Sequence, residues 1–201
     1  MARPRGNERS SVSTATRILD VAEDLVQRRG FNGFSYADVA RELRITKASL
    51  HYHFPEKADL GRALIERYAA RFMEALAGIA DVGEAPARLK AYTELYGAVL
   101  RESRMCLCGM LAAEYATLPE PMREAVTEFF ERNEAWLSIV LEDGARTGSL
   151  AFSGSARDAA RMLVSGLEGA MLVARPYGDS TRFDSTAGQL LASMTVAAQP
   201  A

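Results

Sequence analysis

The stretch Phe34–Leu60, FSYADVARELRITKASLHYHFPEKADL, decides the fold, because it reads as two short helices, a tight turn and the start of a third helix. Ser35 is an N-cap candidate with Asp38 three positions on, a capping box in which Asp stands for Glu or Gln. Val39, Ala40 and Leu43 then make one apolar stripe, and Arg44 and Ile45 form the turn. Thr46 caps a second helix whose small or apolar positions are Ala48, Leu50 and Phe54, leaving Lys47, Ser49, His51 and His53 to solvent. Pro55 stops that helix, Glu56 and Lys57 open the next, and Leu60, Leu64 and Ile65 carry a new apolar face. The pattern predicts a helix-turn-helix.

In such a motif the second helix enters the major groove of DNA with its N-terminal residues at base edges. Lys47 is then expected at a base or a phosphate, and Ala48 is small enough to approach a thymine methyl. Ser35, Tyr36, Ser49, Tyr52, His53 and Lys57 are expected along the sugar-phosphate backbone. Short helices joined by turns also occur in any all-α protein, and periodicity alone does not separate the two readings.

The residues themselves separate them. The segment resembles the DNA-binding domain of the TetR/AcrR family of one-component repressors, whose pattern runs Asp-Ile-Ala-x-x-Ala-Gly-Val-Ser-Lys-Gly-Thr-Leu-Tyr-x-x-Phe-x-x-Lys-x-x-Leu. Asp38, Val39, Ala40, Leu43, Arg44, Ile45, Thr46, Lys47, Ala48, Ser49, Leu50, His51, Phe54, Lys57 and Leu60 stand at those positions, most of them matching outright or by a conservative change. The preceding TRILDVAEDLVQRRGFNGFS also fits, as an amphipathic helix ending at Gly-Phe. The resemblance covers the first third of the chain and implies a repressor in which Arg44, Thr46 and His51 join the residues above at the DNA. Two positions depart from the pattern. Arg44 stands where the family often has Gly in the turn, so a positive φ there carries strain that Gly avoids. His51 stands where the family has Tyr, with Tyr52 next, so that the phosphate contact passes to the His51 ring or to a neighbour.

Composition agrees with a soluble regulator. The 201 residues are 48% hydrophobic and 25% charged, enough for a small domain plus a larger one. No run of apolar residues is long enough to span a membrane, and the polar, basic start MARPRGNERSSVS lacks the apolar core of a secretory signal. Two cysteines do not make an extracellular disulfide framework, so a cytoplasmic location is expected. The formal net charge of −2 divides unevenly: residues 1–60 hold 10 Lys+Arg against 8 Asp+Glu, and residues 61–201 hold 14 against 18. That asymmetry has the sense expected of a DNA binder and is small. Arg3, Arg5 and Arg9 lie in an expected disordered arm, 1–10, which either tracks phosphates or is a solvated tail.

Beyond the DNA-binding domain, set at 1–57, residues 58–201 read as helices throughout, and the fold class is all-α. Helices are expected from Ala58 to Ile79, from Pro86 to about Arg104, and over a short apolar Met105 to Thr117. Three more follow from Met122 to Asp143 ended by Gly144, from Ala156 to Arg175, and from Thr181 to Val196. The helix from Ala156 is apolar around too much of its surface for one buried stripe, which fits either a fully buried core helix or a dimer helix. Gly166 and Gly169 weaken that helix and call for a packing reason. The family resemblance implies that the last two helices pair with their copies, placing Leu163, Gly166, Leu167, Ala170, Leu190 and Met194 at a homodimer interface.

A repressor of this kind needs a mostly apolar cavity with a few polar groups to orient an inducer, here of unknown identity. The lining candidates are Tyr92, Tyr96, Met105, Met110, Glu114, Tyr115, Phe130, Trp136 and Met171, each of which is otherwise ordinary core. Glu114 is the sharpest of them, because a carboxylate on an apolar helix is costly to bury without a partner. Cys106 and Cys108 open the short helix, where the helix dipole and the nearby Arg101 and Arg104 favour thiolate. Cys106 is similar to the cysteine at the start of this helix in the family's repressors of electrophile-detoxifying reductases. The opposing reading is that free cysteines are small buried hydrophobes.

No enzyme chemistry is legible. His51 and His53 sit two apart on one helix and cannot converge on a metal, and no nucleophile, base or cofactor loop can be placed, so neither metal nor cofactor is expected. The expected function is a ligand-responsive transcriptional regulator, a repressor that binds a palindromic double-stranded DNA operator as a dimer and is released by a small molecule or by thiol modification. The alternative is an all-α small-molecule binding or interaction protein whose helix-turn-helix has lost its affinity for DNA.

Overall fold

The computed structural model describes residues 13–195. The basic arm with Arg3, Arg5 and Arg9 lies outside those residues, as does Val196. Nine α-helices follow in order, α1 Thr14–Arg29, α2 Tyr36–Leu43, α3 Lys47–His53, α4 Lys57–Ala80, α5 Ala85–Arg101, α6 Leu107–Ala113, α7 Glu120–Thr147, α8 Ala156–Ala174 and α9 Thr181–Ala192. Short 3-10 turns occupy Tyr115–Thr117 and Arg175–Tyr177. The all-α expectation holds among the described residues.

The helix-turn-helix forms for the reasons its sequence gives. Ser35 donates to Asp38 Oδ2 from its backbone N–H at 2.8 Å and from Oγ at 2.7 Å, closing the start of α2. Thr46 Oγ1 accepts the Ser49 N–H at 3.2 Å and starts α3. Between them Arg44 takes φ +54 and ψ +44, the left-handed conformation that Gly adopts without strain. Leu50, Val39, Ile18, Leu60 and Leu64 bury completely, so the three small helices share one core with α4.

The larger body is built on α7, which packs along α8 and α4. Its length corrects the expected end at Gly144. That glycine is helical and buried, because a Cβ there would lie 2.3 Å from Leu150 Cδ1, and the helix ends instead at Gly148 with φ +73. The expected short helix Met105 to Thr117 divides into α6 and a 3-10 turn, and α9 ends at Ala192. Pro86 falls in the first turn of α5 as expected.

Contacts from α4 and from both ends of α6 help fasten the helix-turn-helix to this body. On α4, Arg67 and Arg71 both reach the buried carboxylate of Glu23 on α1, Arg67 at 2.7 Å. On α6 the fastening is at both ends. Before the helix, Met105 N–H donates to Gln27 O at 3.2 Å while Gln27 Nε2 donates to Met105 O at 3.0 Å. At its C-terminus Glu114 accepts the backbone N–H of Phe31 at 2.6 Å and of Asn32 at 3.2 Å. Gly30 makes room for that carboxylate: its φ is +83, and a Cβ would sit 2.6 Å from Glu114 Oε1.

Candidate nucleic-acid interface and ligand core

Helix α3 presents Thr46, Lys47, Ala48, His51 and Tyr52 to solvent, Tyr52 with 83% exposure, while Leu50 anchors the opposite side. Ser49 and His53 are half-buried at the edges of that face. The His51 ring packs on Tyr36 at 4.9 Å, and its Nδ1 lies 3.0 Å from Pro55 O. Donation from Nδ1 to that carbonyl leaves Nε2 as the ring's other polar atom. Tyr52 stands against His53 with ring centroids 5.1 Å apart.

Two residues expected at the phosphates are committed elsewhere. The Tyr36 hydroxyl lies 2.8 Å from both Phe54 O and Glu56 O, tying the end of α3 to the start of α4. Burial, with Asp59 and Glu56 nearby, pushes its pKa up to about 12. Lys57 Nζ donates to Phe31 O at 2.5 Å and Phe34 O at 2.6 Å and lies over both phenyl rings. Burial lowers its pKa. These are joints of the domain: the Tyr36 O–H is committed, and Lys57 places two of its three N–H donors on backbone carbonyls.

The expected ligand residues divide into three groups. Tyr92, Tyr96 and Trp136 meet in the core of the larger body, where Tyr92 donates to Asn133 Oδ1 at 2.9 Å and Asn133 Nδ2 donates to Tyr96 Oη at 3.0 Å. The two phenol oxygens are 3.1 Å apart, and Trp136 stacks on Tyr92 at 5.8 Å. Their polar atoms satisfy one another, so this cluster is closed core rather than the expected cavity. Met171 is buried beside α7 as core. Glu114 is engaged by the Phe31 and Asn32 backbone, and Tyr115 is exposed under Arg123, 5.8 Å away. Neither lines the cavity that gathers the other candidates.

Met105, Met110 and Phe130 do come together, around a cavity of about 270 Å³ between α6, α7 and α8 that Glu168 and Leu172 complete. Glu168 was not expected there. It is the one charged residue in Met162–Ala174, and its Oε1 is buried without a hydrogen-bond partner. Burial pushes its pKa up to about 7, against a smaller pull from the Cys106 thiol. Gly109 lets this carboxylate approach α6, because a Cβ there would lie 2.1 Å from Glu168 Oε2. A wider cleft of about 340 Å³ is flanked by Arg101, Arg104 and Arg175, each of them hydrogen-bonded within the chain. Arg101 bonds Glu94 at 2.8 Å, Arg104 bonds Gln27 at 2.9 Å, and Arg175 bonds the Arg28 carbonyl on α1.

The thiols are not held as thiolates. Cys106 and Cys108 are both buried, and burial followed by the Glu168 carboxylate pushes each well above the usual thiol range. Cys106 does cap α6, with Sγ accepting Gly109 N–H at 3.5 Å and the Tyr68 hydroxyl at 3.6 Å. Those contacts are weaker than the loss of solvent. Arg101 and Arg104 make their ion pairs with Glu94 and Glu102 and do not offset it.

Four of the six residues expected at the dimer interface, Leu163, Leu167, Ala170 and Met194, pack inside the chain. Leu163, Leu167 and Met194 are fully buried within the chain, Ala170 is nearly so, and Gly166 faces Leu190 of its own α9. The solvent face of α8 carries Met162, Ser165, Gly169, Leu172 and Val173 instead, with Leu172 55% exposed and Val173 62%. A helical step of one residue moves a side chain by about 100°, so the neighbours of the expected residues hold this face.

This arrangement has counterparts. A family model described as "Bacterial regulatory proteins, tetR family" matches residues 18–64, and one described as "Tetracyclin repressor-like, C-terminal domain" matches residues 85–190. The chain belongs to the TetR family. It is similar to the HTH-type transcriptional repressor NemR of Escherichia coli K12, with 28% identity over 174 residues, 84% of this chain and 87% of that protein. The crystal structure of a TetR family regulator from Agrobacterium tumefaciens is 34% identical and superposes with a TM-score of 0.87, covering 90% of this chain and 97% of that one. The reduced form of E. coli NemR gives 27% identity and a TM-score of 0.79 over 91% of this chain and 98% of that one. TetR-family proteins are transcriptional regulators, not enzymes; they bind DNA operators and small-molecule ligands and function as dimers. No helix among the described residues is long and apolar enough to cross a membrane. Among those residues no cluster of three or more His, Cys, Asp or Glu is placed to hold a metal ion.

Proposed function

We propose that this chain is a ligand-controlled repressor that binds a palindromic operator as a dimer and releases it when a small molecule displaces α6. The observation that carries this reading is the attachment of α6 to the DNA-binding helices at both ends, through Met105 with Gln27 and Glu114 with Phe31. Seven helical residues held in this way cannot shift without moving α1 and the loop before α2. α3 is locked to α2 and α4 through Tyr36 and Leu50, so its exposed face follows. The two recognition helices of a dimer must match half-sites about one helical turn of DNA apart, and a small rotation of each protomer breaks that match. Any inducer must bind the displaced arrangement more tightly than the DNA-bound one.

The DNA face is Thr46, Lys47, Ala48 and His51 at the groove, with Tyr52, His53, Ser49, Ser35 and Arg44 toward the phosphates. The dimer surface is the α8 stripe Met162, Ser165, Gly169, Leu172 and Val173, joined by the outer side of α9. The thiols contribute as core, and induction is non-covalent. Leu172→Arg tests the assembly: sedimentation should show a folded monomer, with operator affinity reduced because one half-site supplies half the contacts. A Leu172→Arg protein that stays dimeric and binds DNA like wild type would remove α8 from the interface.

A further inference from the structure

We infer that the cavity between α6, α7 and α8 is a binding site for a small organic cation with an apolar body, with Glu168 as the residue that pairs with its charge. The inference rests on the repressor reading only for its consequence at DNA; the binding itself stands on the cavity.

The walls are Met105 and Met110 from the α6 side and Phe130 from α7, with Leu172 at the rim where the cavity opens toward the α8 face assigned to the dimer, a lining suited to an alkyl or aryl group. Methionine thioethers and a phenyl ring also tolerate a neighbouring ammonium, the ring through its negative face. About 270 Å³ lies near the small end of the usual range of roughly 300–1,000 Å³ for ligand pockets, which limits the guest to a compact amine.

Glu168 is half-buried with Oε1 sealed from solvent, and a carboxylate oxygen so placed is normally hydrogen-bonded, because leaving it unpaired loses solvation that an apolar setting does not return. Among the described residues no Lys or Arg forms an ion pair with Glu168, and its Oε1 has no hydrogen-bond partner at all. The titratable groups that face it are Cys106 and Cys108 on α6, Tyr68 on α4 and Tyr92 and Tyr96 on α5, all acids, while the Arg175 guanidinium bonds the wall residue Met110 at 3.2 Å and forms no ion pair with Glu168. α7 brings only the Phe130 ring to the cavity. The carboxylate also holds its place at a cost in local sequence, since Gly109 must lack a Cβ for it to reach α6. An ammonium group in the cavity supplies the donor and the charge that the chain omits. Because the same carboxylate packs against α6 at Gly109, a cation that draws it away changes the packing of the helix fastened to the DNA-binding domain.

The test uses the full-length dimer and n-hexylammonium chloride, with 1-hexanol and sodium hexanoate as neutral and anionic probes of the same body. Calorimetry at pH 8 should show the ammonium probe binding and the other two not, and Glu168→Gln should weaken the ammonium probe by about 30-fold or more while remaining folded. Equal binding of hexanol and hexylammonium, or undiminished ammonium binding by Glu168→Gln, overturns the assignment, as does no binding of the ammonium probe. Operator anisotropy is read separately. Ammonium binding without operator release would uphold the site and overturn its place in the repressor switch.

Discussion

Glu114, the C-cap of α6, accepts the backbone N–H of Phe31, 83 positions earlier in the chain, at 2.6 Å. This one carboxylate joins the regulatory body to the loop that leads into the helix-turn-helix, and Gly30 is shaped to admit it. Replacing Glu114 by Ala leaves the Phe31 and Asn32 amides without their acceptor, which should cost about 1–3 kcal/mol in stability. Amide exchange should accelerate at Phe31 and Asn32, while α8 and α9 remain protected. Unchanged exchange at those two amides would mean the joint carries no stability.

Lys47 and Lys57 should behave oppositely, although both stand at positions of the family pattern. Lys47→Ala should lower operator affinity by about 1–3 kcal/mol if it reads a base, with no change in melting temperature. A loss spread evenly over operator variants places it at a phosphate. Lys57→Ala removes an ammonium that ties Phe31 O and Phe34 O together, so its first effect should be on thermal stability. Melting curves and anisotropy titrations on the same two variants check both halves.

Arg44→Gly should raise stability. The arginine holds φ +54, a conformation costing an L-residue about 1–2 kcal/mol, and the greater freedom of an unfolded glycine returns about half of that. A net gain of about 0.5–1 kcal/mol in a denaturation series is expected. If operator affinity falls at the same time, the Arg44 side chain also meets DNA.

Stability should fall with pH through the neutral range. Glu168 is pushed up from 4.5 to about 7 in the folded chain, so the folded state holds its proton where the unfolded state has lost it. Its contribution is full below the unfolded value and is lost as pH rises through about 7, a change on the order of 3 kcal/mol between about pH 5 and pH 8. Asp38, held down at about 2 by Ser35 and Arg41, titrates well below this window. Glu168→Gln should flatten the profile, and a wild-type curve parallel to that of the variant would contradict the burial of this carboxylate.

The helix-turn-helix is legible in the sequence because its signals are local: Ser35 with Asp38, Thr46 with Ser49 and Pro55 act within three or four residues of themselves. What Tyr36 and Lys57 do is not local. Their partners, Phe54, Glu56, Phe31 and Phe34, are brought near only when the three helices close, so a family pattern places them and tertiary contacts assign them. Which side of α8 meets solvent differs from the expected one by about one residue of helical phase, since glycine and alanine at 166, 169 and 170 leave the apolar direction of that helix ambiguous. A carboxylate on an apolar helix does lack a partner in this fold, but Glu114 is not that residue. Glu168 is, and its signal was present as the single charge in MLVSGLEGAMLVA. Glu114 finds its partners on the distant loop at Phe31, which no periodicity announces.

Selection of double-stranded DNA from a random pool, by wild type and by Lys47→Ala in parallel at physiological salt, tests the repressor reading most directly. Wild type should enrich an inverted repeat whose half-site centres lie about 34–36 Å apart or a multiple of that, and Lys47→Ala should enrich it weakly or with one relaxed position. Binding that is lost uniformly as salt rises, with no sequence enriched by either protein, would contradict it and leave a helical binding protein whose α3 no longer reads DNA.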